Sequence, residues 1–310
     1  MSWLLHPAHL LCIDKLVRIH LDLSHLLIAF FVPALLVWSC AGRQAAFLKR
    51  SNSAPSPNAS ELKAEADQVW EQRSDPEMAR VALALYQKAF QAESANVEVG
   101  VSLARAHAFV GEYVESKPEV QDTLFLRGIE AGEKALALHP GFLSKYRRLK
   151  DETKTLSVLN KDWVPAIYWT AVNLEKWSAT KSWVTRMGNK RRIEAYYLKV
   201  IELQDTYDYG GAYRFLGKVP ARIPFGSKSD SRSYFEKAIR ISPNYFKNRR
   251  VFAEVYAVSR NDRELYRQVL TTIVNGDPQA LPEAYPENKF EQEIARDLLL
   301  RINERFKSSD

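Results

Sequence analysis

Two neighbouring stretches decide the fold: residues 207–217 read YDYGGAYRFLG, and residues 231–244 read SRSYFEKAIRISPN. Small and large side chains recur in them at the spacing of one helix face. Small residues let two antiparallel helices approach closely, and large ones fill the gaps between them. We therefore predict a helical hairpin whose second helix is ended by a proline. The residues that carry this pattern are Tyr213, Leu216, Gly217, Phe235, Ala238 and Pro243.

The spacing is typical of the tetratricopeptide repeat, a hairpin that cannot bury its apolar face alone and therefore implies neighbours. Similar second-helix patterns occur at 82–90 and 128–140, and a Gly-Glu-Tyr turn at 111–113 falls in phase with the first. An apolar stripe over 290–306 is typical of a C-terminal capping helix. We predict an all-α fold, with degenerate tetratricopeptide-like hairpins stacked into one α-α superhelical domain over residues 61–310.

Three local features modify this repeat pattern. Residues 114–123 contain Pro118 and are interpreted as an extended loop. Pro220 stands inside a predicted helix, which it should kink or end early. Residues 207–211 read YDYGG and are interpreted as a tight turn between helices that uses the conformational freedom of glycine.

The N-terminal region is typical of an exported lipoprotein. Residues 26–38 are apolar and uncharged, but shorter than the ~20 residues that a transmembrane helix needs. The run ends in VWSC at residues 37–40, which resembles a bacterial lipobox. We predict a lipoprotein signal peptide over 1–39, lipidation of Cys40, and a Pro- and Ser-rich tether over 40–60. The alternative is an uncleaved membrane anchor.

The charge pattern gives weak support for an anionic partner. The chain carries a formal net charge of +7, spread over short groups such as 147–148, 190–192 and 249–250. Scattered cations of this kind are interpreted as solvated helix faces. Because no dense basic tract with interleaved aromatic residues occurs, we predict no nucleic-acid partner.

The sequence offers little catalytic chemistry. Beyond the predicted leader only His107 and His139 remain, and both are interpreted as structural. No Gly-rich phosphate loop, metal-spaced Cys/His cluster or nucleophile–base pair stands out. We predict no catalytic residues, no metal site and no cofactor, and interpret the protein as a non-enzyme.

Five large aromatic residues fall within a short stretch and are the candidate lining of a ligand or partner groove. The helix predicted over 162–177 is apolar on more than one side, which is typical of a helix that is buried between layers or lines a cavity. For each single residue the alternative is core packing. The candidates are Trp163, Tyr168, Trp169, Trp177 and Trp183.

Over most of the helical region, and most densely from residue 191 to the C-terminus, the chain resembles the TRAP-transporter-associated tetratricopeptide lipoproteins, the T component of these systems. The resemblance is carried by residues 207–217, 234–245 and 253–265. It implies an all-α, periplasmic, lipid-anchored protein that forms homotrimers. It also implies pairing with the periplasmic solute-binding protein of a TRAP system, and no catalytic residues.

Two functional hypotheses follow. The first is a transport accessory that docks the solute-binding protein and channels an apolar or organic-acid ligand toward the membrane. The second is a ligand-free repeat scaffold for envelope protein assembly. A neighbouring gene for a TRAP-type binding protein favours the first, and neighbouring outer-membrane assembly genes favour the second.

Overall fold

The computed structural model describes residues 43, 45–48, 57–222 and 226–306. The predicted signal peptide and the predicted lipidation site, Cys40, lie outside the described residues. The described residues from 45 to 306 form one compact unit. Within the described residues all regular secondary structure is helical, which confirms the all-α prediction. Across the same ranges, no helix combines the length and the apolar run needed to cross a bilayer.

The described residues form α-helices of very different lengths, joined by short 3₁₀ turns and by two π-helical turns. The α-helices are α1 (Pro57–Trp70), α2 (Pro76–Ala92), α3 (Val97–Phe109), α4 (Pro118–Ala137), α5 (Phe142–Leu149), α6 (Glu152–Thr155), α7 (Val164–Ala179), α8 (Trp183–Gln204), α9 (Tyr207–Arg222), α10 (Lys228–Ile241), α11 (Phe246–Val251), α12 (Arg263–Val274), α13 (Tyr285–Leu300) and α14 (Ile302–Arg305). The π-helical turns are Val110–Val114, which follows α3, and Phe252–Ala257, which follows α11.

Side-chain caps start many of these helices. Asp75 accepts hydrogen bonds from the backbone N–H groups of Glu77 and Met78, and proline follows it at the first helical position. Such caps satisfy N–H groups that have no partner inside the helix. The other side-chain caps at α-helix starts are Asn96, Asp151, Ser182, Ser227 and Asp262.

Consecutive helices pair as hairpins, and the deciding hairpin is α9 with α10. The other main pairs are α1 with α2, α3 with α4, α7 with α8, and α12 with α13. Gly217 of α9 lies directly under the ring of Phe235, where an added Cβ would come within 2.8 Å of the ring. Ser231 Oγ donates to the Gly217 carbonyl at 2.7 Å. The small residue therefore sets how closely the two helices approach.

The prediction for residues 114–123 is wrong, and of the two outcomes predicted at Pro220, a kink or an early end, the early end does not occur. Residues 114–123 are not an extended loop, because α4 begins at Pro118 and runs to Ala137. Proline is well accommodated at the first position of a helix, where its missing N–H would have no partner. Pro220 does not end α9 early either, because the helix continues to Arg222.

The domain also begins before the predicted boundary at residue 61. Residues Ala46–Leu48 form a 3₁₀ turn within the segment predicted as tether, and Phe47 is buried. The Phe47 ring lies edge-on to the ring of Tyr146 in α5, with 4.7 Å between centroids. Helix α1 then starts at Pro57. Part of the predicted tether is therefore packed against the helical domain.

The last long helix returns to the first hairpin. Arg73, which follows α1, is buried and donates from Nε and Nη2 to the carboxylate of Glu287 in α13, each at 3.0 Å. Phe109 of α3 meets Phe290 of α13 edge-on at 5.8 Å. The stack of hairpins therefore brings its two ends together around a central cleft.

Candidate functional site: a cleft lined by aromatic rings and paired charges

A cleft lies between α3 and its π-helical turn on one side and α7, α8, α9 and α11 on the other. It encloses about 550 Å³ of space, its open mouth included. Apolar rings form part of its wall, and ionisable side chains form the rest. The lining residues are Arg105, Ala108, Phe109, Glu112, Tyr113, Tyr168, Trp169, Val172, Glu175, Lys176, Tyr197, Asp208, Gly211, Arg214, Phe215, Lys218, Tyr245, Lys247 and Glu287.

A left-handed backbone turn opens α9 at the wall of the cleft. Asp208, Tyr209 and Gly210 have φ values of 47°, 59° and 76°. Non-glycine residues rarely adopt this region, and such conformations persist only where surrounding contacts hold them. The predicted tight turn in the YDYGG stretch is thus confirmed, but only its first glycine has a positive φ. Gly211 instead allows close approach, since an added Cβ would lie 2.0 Å from Tyr168 Oη.

The turn is held by a buried polar network around Asp208. Tyr168 Oη donates to Asp208 Oδ2, and Arg214 Nη2 donates to the same oxygen at 3.0 Å. Arg214 Nη1 donates to Asn248 Oδ1 at 2.7 Å. Asn248 Nδ2 in turn donates to the Tyr209 carbonyl at 2.9 Å. The Asp208 carboxylate and the Tyr209 carbonyl therefore both have partners in one buried polar network.

Glu112 brings three cations together on the opposite wall. Its carboxylate lies 2.7 Å from Lys176 Nζ, 2.7 Å from Lys247 Nζ and 3.6 Å from Arg250 Nη2. Burial alone would raise the pKa of Glu112, but the three cations outweigh it and hold the pKa well below its ordinary value. The π-helical turn that carries Glu112 is a local widening often found at functional sites.

A third ion pair joins α7 to α9. Lys218 Nζ lies 2.7 Å from Glu175 Oε1, and Tyr197 Oη donates to Glu175 Oε2 at 2.9 Å. Burial would raise the pKa of Glu175, but Lys218 and Lys176 outweigh it and lower the pKa to about 2. Burial lowers the pKa of Lys218 to about 8, against the opposing effect of Glu175. The pair is therefore ionised at neutral pH.

Arg105 differs from every other cation of the cleft. Its guanidinium carbon lies 5.2 Å from the centroid of the Trp70 ring and 5.8 Å from that of Trp169. Among the described residues no carboxylate lies within ion-pairing distance of it, and no hydrogen bond holds it. Arginine stacked on aromatic rings keeps its donors free in the ring plane. The cleft therefore presents one positive charge that the described residues do not neutralise.

The five predicted groove residues do not all lie together. Tyr168 and Trp169 line the cleft. Trp163 is half-buried against the core, and Trp177 is half-buried beneath Lys181. Trp183 lies at the start of α8 with 68% of its surface exposed. Only the two residues near the middle of α7 therefore share a common cavity.

The charged residues of the cleft are the part that sequence reasoning missed. Arg105 had a detectable signal, because it is the single Arg or Lys of α3, a helix made largely of Ala and Val. Glu112 is predicted only as part of a turn between repeat helices, and nothing in the local sequence indicates its burial. Asp208 lies in a stretch that was assigned only a turn.

The two histidines lie away from the cleft lining. His107 is buried, and burial with the nearby Arg127 lowers its pKa to about 3. His139 packs edge-on against Trp163 at 5.0 Å, and its Nδ1 accepts from the Gly141 N–H at 3.1 Å. His107 instead lines a separate pocket together with Arg127, Glu130 and Lys134.

Comparison with known proteins identifies the family to which the chain belongs. A comparison with curated proteins gave no match. The family described as TRAP transporter T-component matches residues 72–306, which is more than half of the chain and includes every residue that lines the cleft. Members of this family are accessory proteins of transport systems. The chain therefore belongs to the TRAP transporter T-component family.

Proposed function

We propose that this T-component is a periplasmic, lipid-anchored accessory that binds the solute-binding protein of its TRAP system. Its cleft receives an organic anion with an apolar body and passes it toward the membrane transporter. Family membership supports the accessory role. The observation that carries the ligand proposal is the unpaired Arg105 beside the apolar rings of the cleft.

The charge balance of the cleft favours a singly charged anion. Five cations and four carboxylates line it, and each carboxylate already lies beside at least one cation. An added carboxylate would therefore find its partner at Arg105. A guanidinium can hold a carboxylate with two parallel hydrogen bonds, which gives orientation as well as attraction.

The apolar part of the cleft lies next to this cation. Phe109, Trp169 and Val172 line the wall near Arg105. Trp169 is fixed in place because its Nε1 donates to Tyr207 Oη at 3.2 Å. Apolar walls with a few placed polar groups are typical of small-molecule sites. An aliphatic or aromatic carboxylate matches this combination.

The ligand proposal is tested by calorimetry with octanoate as the probe. We expect octanoate to bind the wild-type chain, and Arg105→Met to weaken binding by about tenfold or more because a charged hydrogen-bonded contact is lost. The matched control is Arg267→Met, which removes an exposed cation on α12 and should leave binding unchanged. Equal octanoate binding by the wild type and Arg105→Met, or equal binding of octanol and octanoate, would overturn the proposal.

Partner binding is tested separately. The T-component and the solute-binding protein of the same transport system should co-elute in size-exclusion chromatography, and the mass of the T-component alone should correspond to a homotrimer. Failure to co-elute would overturn the docking proposal. Partner binding without any octanoate binding would instead support the ligand-free scaffold.

A further inference from the structure

Exposed apolar side chains concentrate on three segments of the chain. Eight large hydrophobic residues are exposed among the described residues. Five of them lie on the 46–48 segment, at the end of α5 or on the first turns of α8. They are Leu48, Leu149, Trp183, Val184 and Met187.

Shared partners connect the 46–48 segment and the end of α5 with the middle of α8. The Glu133 carboxylate accepts from the Ala46 N–H and from Arg192 Nη2, the latter at 2.6 Å. Arg191 Nη2 lies 3.9 Å from Asp151 Oδ2, just after the end of α5. The 46–48 segment and the end of α5 therefore lie beside the third turn of α8, and the exposed residues 183–191 lead from there along the helix to Trp183, about 12 Å away. We call the surface formed by residues 46–48, 147–150 and 183–191 the basal face.

The basal face carries cations that are weakly neutralised. Arg147, Arg148 and Arg186 make no ion pair with any described residue. Arg191 is 80% exposed and meets a carboxylate only at 3.9 Å. Lys190 Nζ lies 3.8 Å from Glu194. Tryptophan beside lysine and arginine is the composition of surfaces that lie at the headgroup level of anionic membranes.

We propose that the basal face rests on the anionic surface of the membrane, with Trp183 at the level of the lipid headgroups. The inference rests on the lipid anchor of the proposed function. Cys40 precedes Ala45 by five residues, which span at most about 18 Å. A chain acylated at Cys40 therefore holds the docked 46–48 segment close to the bilayer.

The charge of the basal face favours lipid over a second copy of the chain. A twofold contact through this face would place its arginines against their own copies, and such like-charge contacts are unfavourable. The contacts of the proposed homotrimer are not twofold, since they join two different faces of neighbouring copies. An anionic bilayer offers the complementary charge together with a layer that accepts the Trp183, Val184 and Met187 side chains.

The experiment uses the lipidated full chain in vesicles that contain brominated lipids, which quench tryptophan fluorescence on contact. One set is phosphatidylcholine alone, and the other contains about 30% phosphatidylglycerol, an anionic lipid that attracts cations near the surface. Trp183 is the one exposed tryptophan among the described residues. We expect quenching in the anionic vesicles, and loss of most of it in Trp183→Phe but not in the control Trp163→Phe, because Trp163 is half-buried against the core and does not line the cleft.

A second variant tests the charge. Combining Arg186→Gln, Lys190→Gln and Arg191→Gln should reduce quenching to the level seen in phosphatidylcholine, although the acyl chains still hold the protein on the vesicle. Equal quenching in both lipids, or quenching that survives Trp183→Phe, would overturn the proposal. If Trp183 instead becomes less accessible to solvent as the protein concentration rises in the absence of lipid, the proposal is overturned, because the basal face then binds a second copy of the chain.

Mass spectrometry of the membrane-extracted chain separates this inference from the proposed function. An acylated Cys40 without lipid-dependent quenching overturns the basal face alone. A chain without acyl groups overturns the anchor in the proposed function, whatever the octanoate measurements show.

Discussion

The cleft and the basal face are built from the same kinds of side chain, aromatic rings and cations, but they neutralise charge differently. In the cleft, Glu112 is only 10% exposed and lies within 4 Å of three cations. On the basal face, Arg191 is mostly exposed, and its one carboxylate lies at 3.9 Å. Buried pairs fix the geometry of a cavity, whereas exposed cations remain available to an external surface.

This difference implies that the two regions respond differently to substitution. Changes in the cleft should reduce the free energy of unfolding, because they leave buried groups without partners or overfill a packed space. Changes of exposed charged side chains on the basal face should leave the free energy of unfolding almost unchanged.

The largest expected effect is that of Glu112→Gln. The change leaves Lys176, Lys247 and Arg250 close together without their shared carboxylate. Removing one partner of a buried ion pair costs about 3–5 kcal/mol of unfolding free energy. Urea denaturation at neutral pH measures this loss. The matched control is Glu264→Gln, which removes an exposed carboxylate and should cost almost nothing.

The pH dependence of the same variant sharpens the test. The pKa of Glu112 is depressed in the folded chain, so its stabilisation is present above its unfolded pKa of 4.5 and is lost as the pH falls toward the folded value. The difference in unfolding free energy between the wild type and Glu112→Gln should therefore shrink below pH 4.5. A difference that is constant with pH would contradict the ionised, paired state of Glu112.

The second effect is that of Gly211→Ala, which tests the close approach of α9 to α7. The added Cβ would lie 2.0 Å from Tyr168 Oη, a group already held by Asp208 and Arg214. Overfilling a packed site costs about 1–3 kcal/mol. Thermal denaturation gives the measurement. Gly141→Ala is the control, because its new Cβ would find its nearest neighbour at 3.4 Å.

The smallest effect, of opposite sign, is expected on the basal face. Gly188 lies inside α8, and an added Cβ would have no atom within 4 Å. Gly188→Ala should stabilise the chain by about 0.5–1 kcal/mol, because alanine loses less backbone entropy in a helix. A loss of stability in the same denaturation measurement would show that this part of α8 is more closely packed than its exposure indicates.

The helices could be predicted from the sequence because their signals are local. The spacing of Gly217 and Phe235 indicated one hairpin, and the Asp-Pro pair at residue 75 indicated a helix start. Proline residues were a poorer indicator of helix ends than these local patterns. Pro118 begins a helix and Pro220 lies within one, since the effect of proline depends on whether its position needs an N–H donor.

The cleft could be predicted only in part, because it depends on contacts between distant residues. Tyr168 and Trp169 were marked by their apolar surroundings, and they line it. Trp183 has the same side chain as Trp169, but it begins a new helix and points to solvent. The partners of Glu112 come from α7 and α11, and helical periodicity carries no information about which distant helices meet.

The contact between Arg73 and Glu287 has a consequence for how such a chain can change in evolution. Open repeat arrays gain or lose units easily, since each unit touches only its neighbours. Here the beginning and the end of the array hold each other across 214 positions of sequence. Inserting or deleting one hairpin would separate Arg73 from Glu287. We therefore expect family members that retain this ion pair to have the same number of hairpins and to vary in the length of their loops.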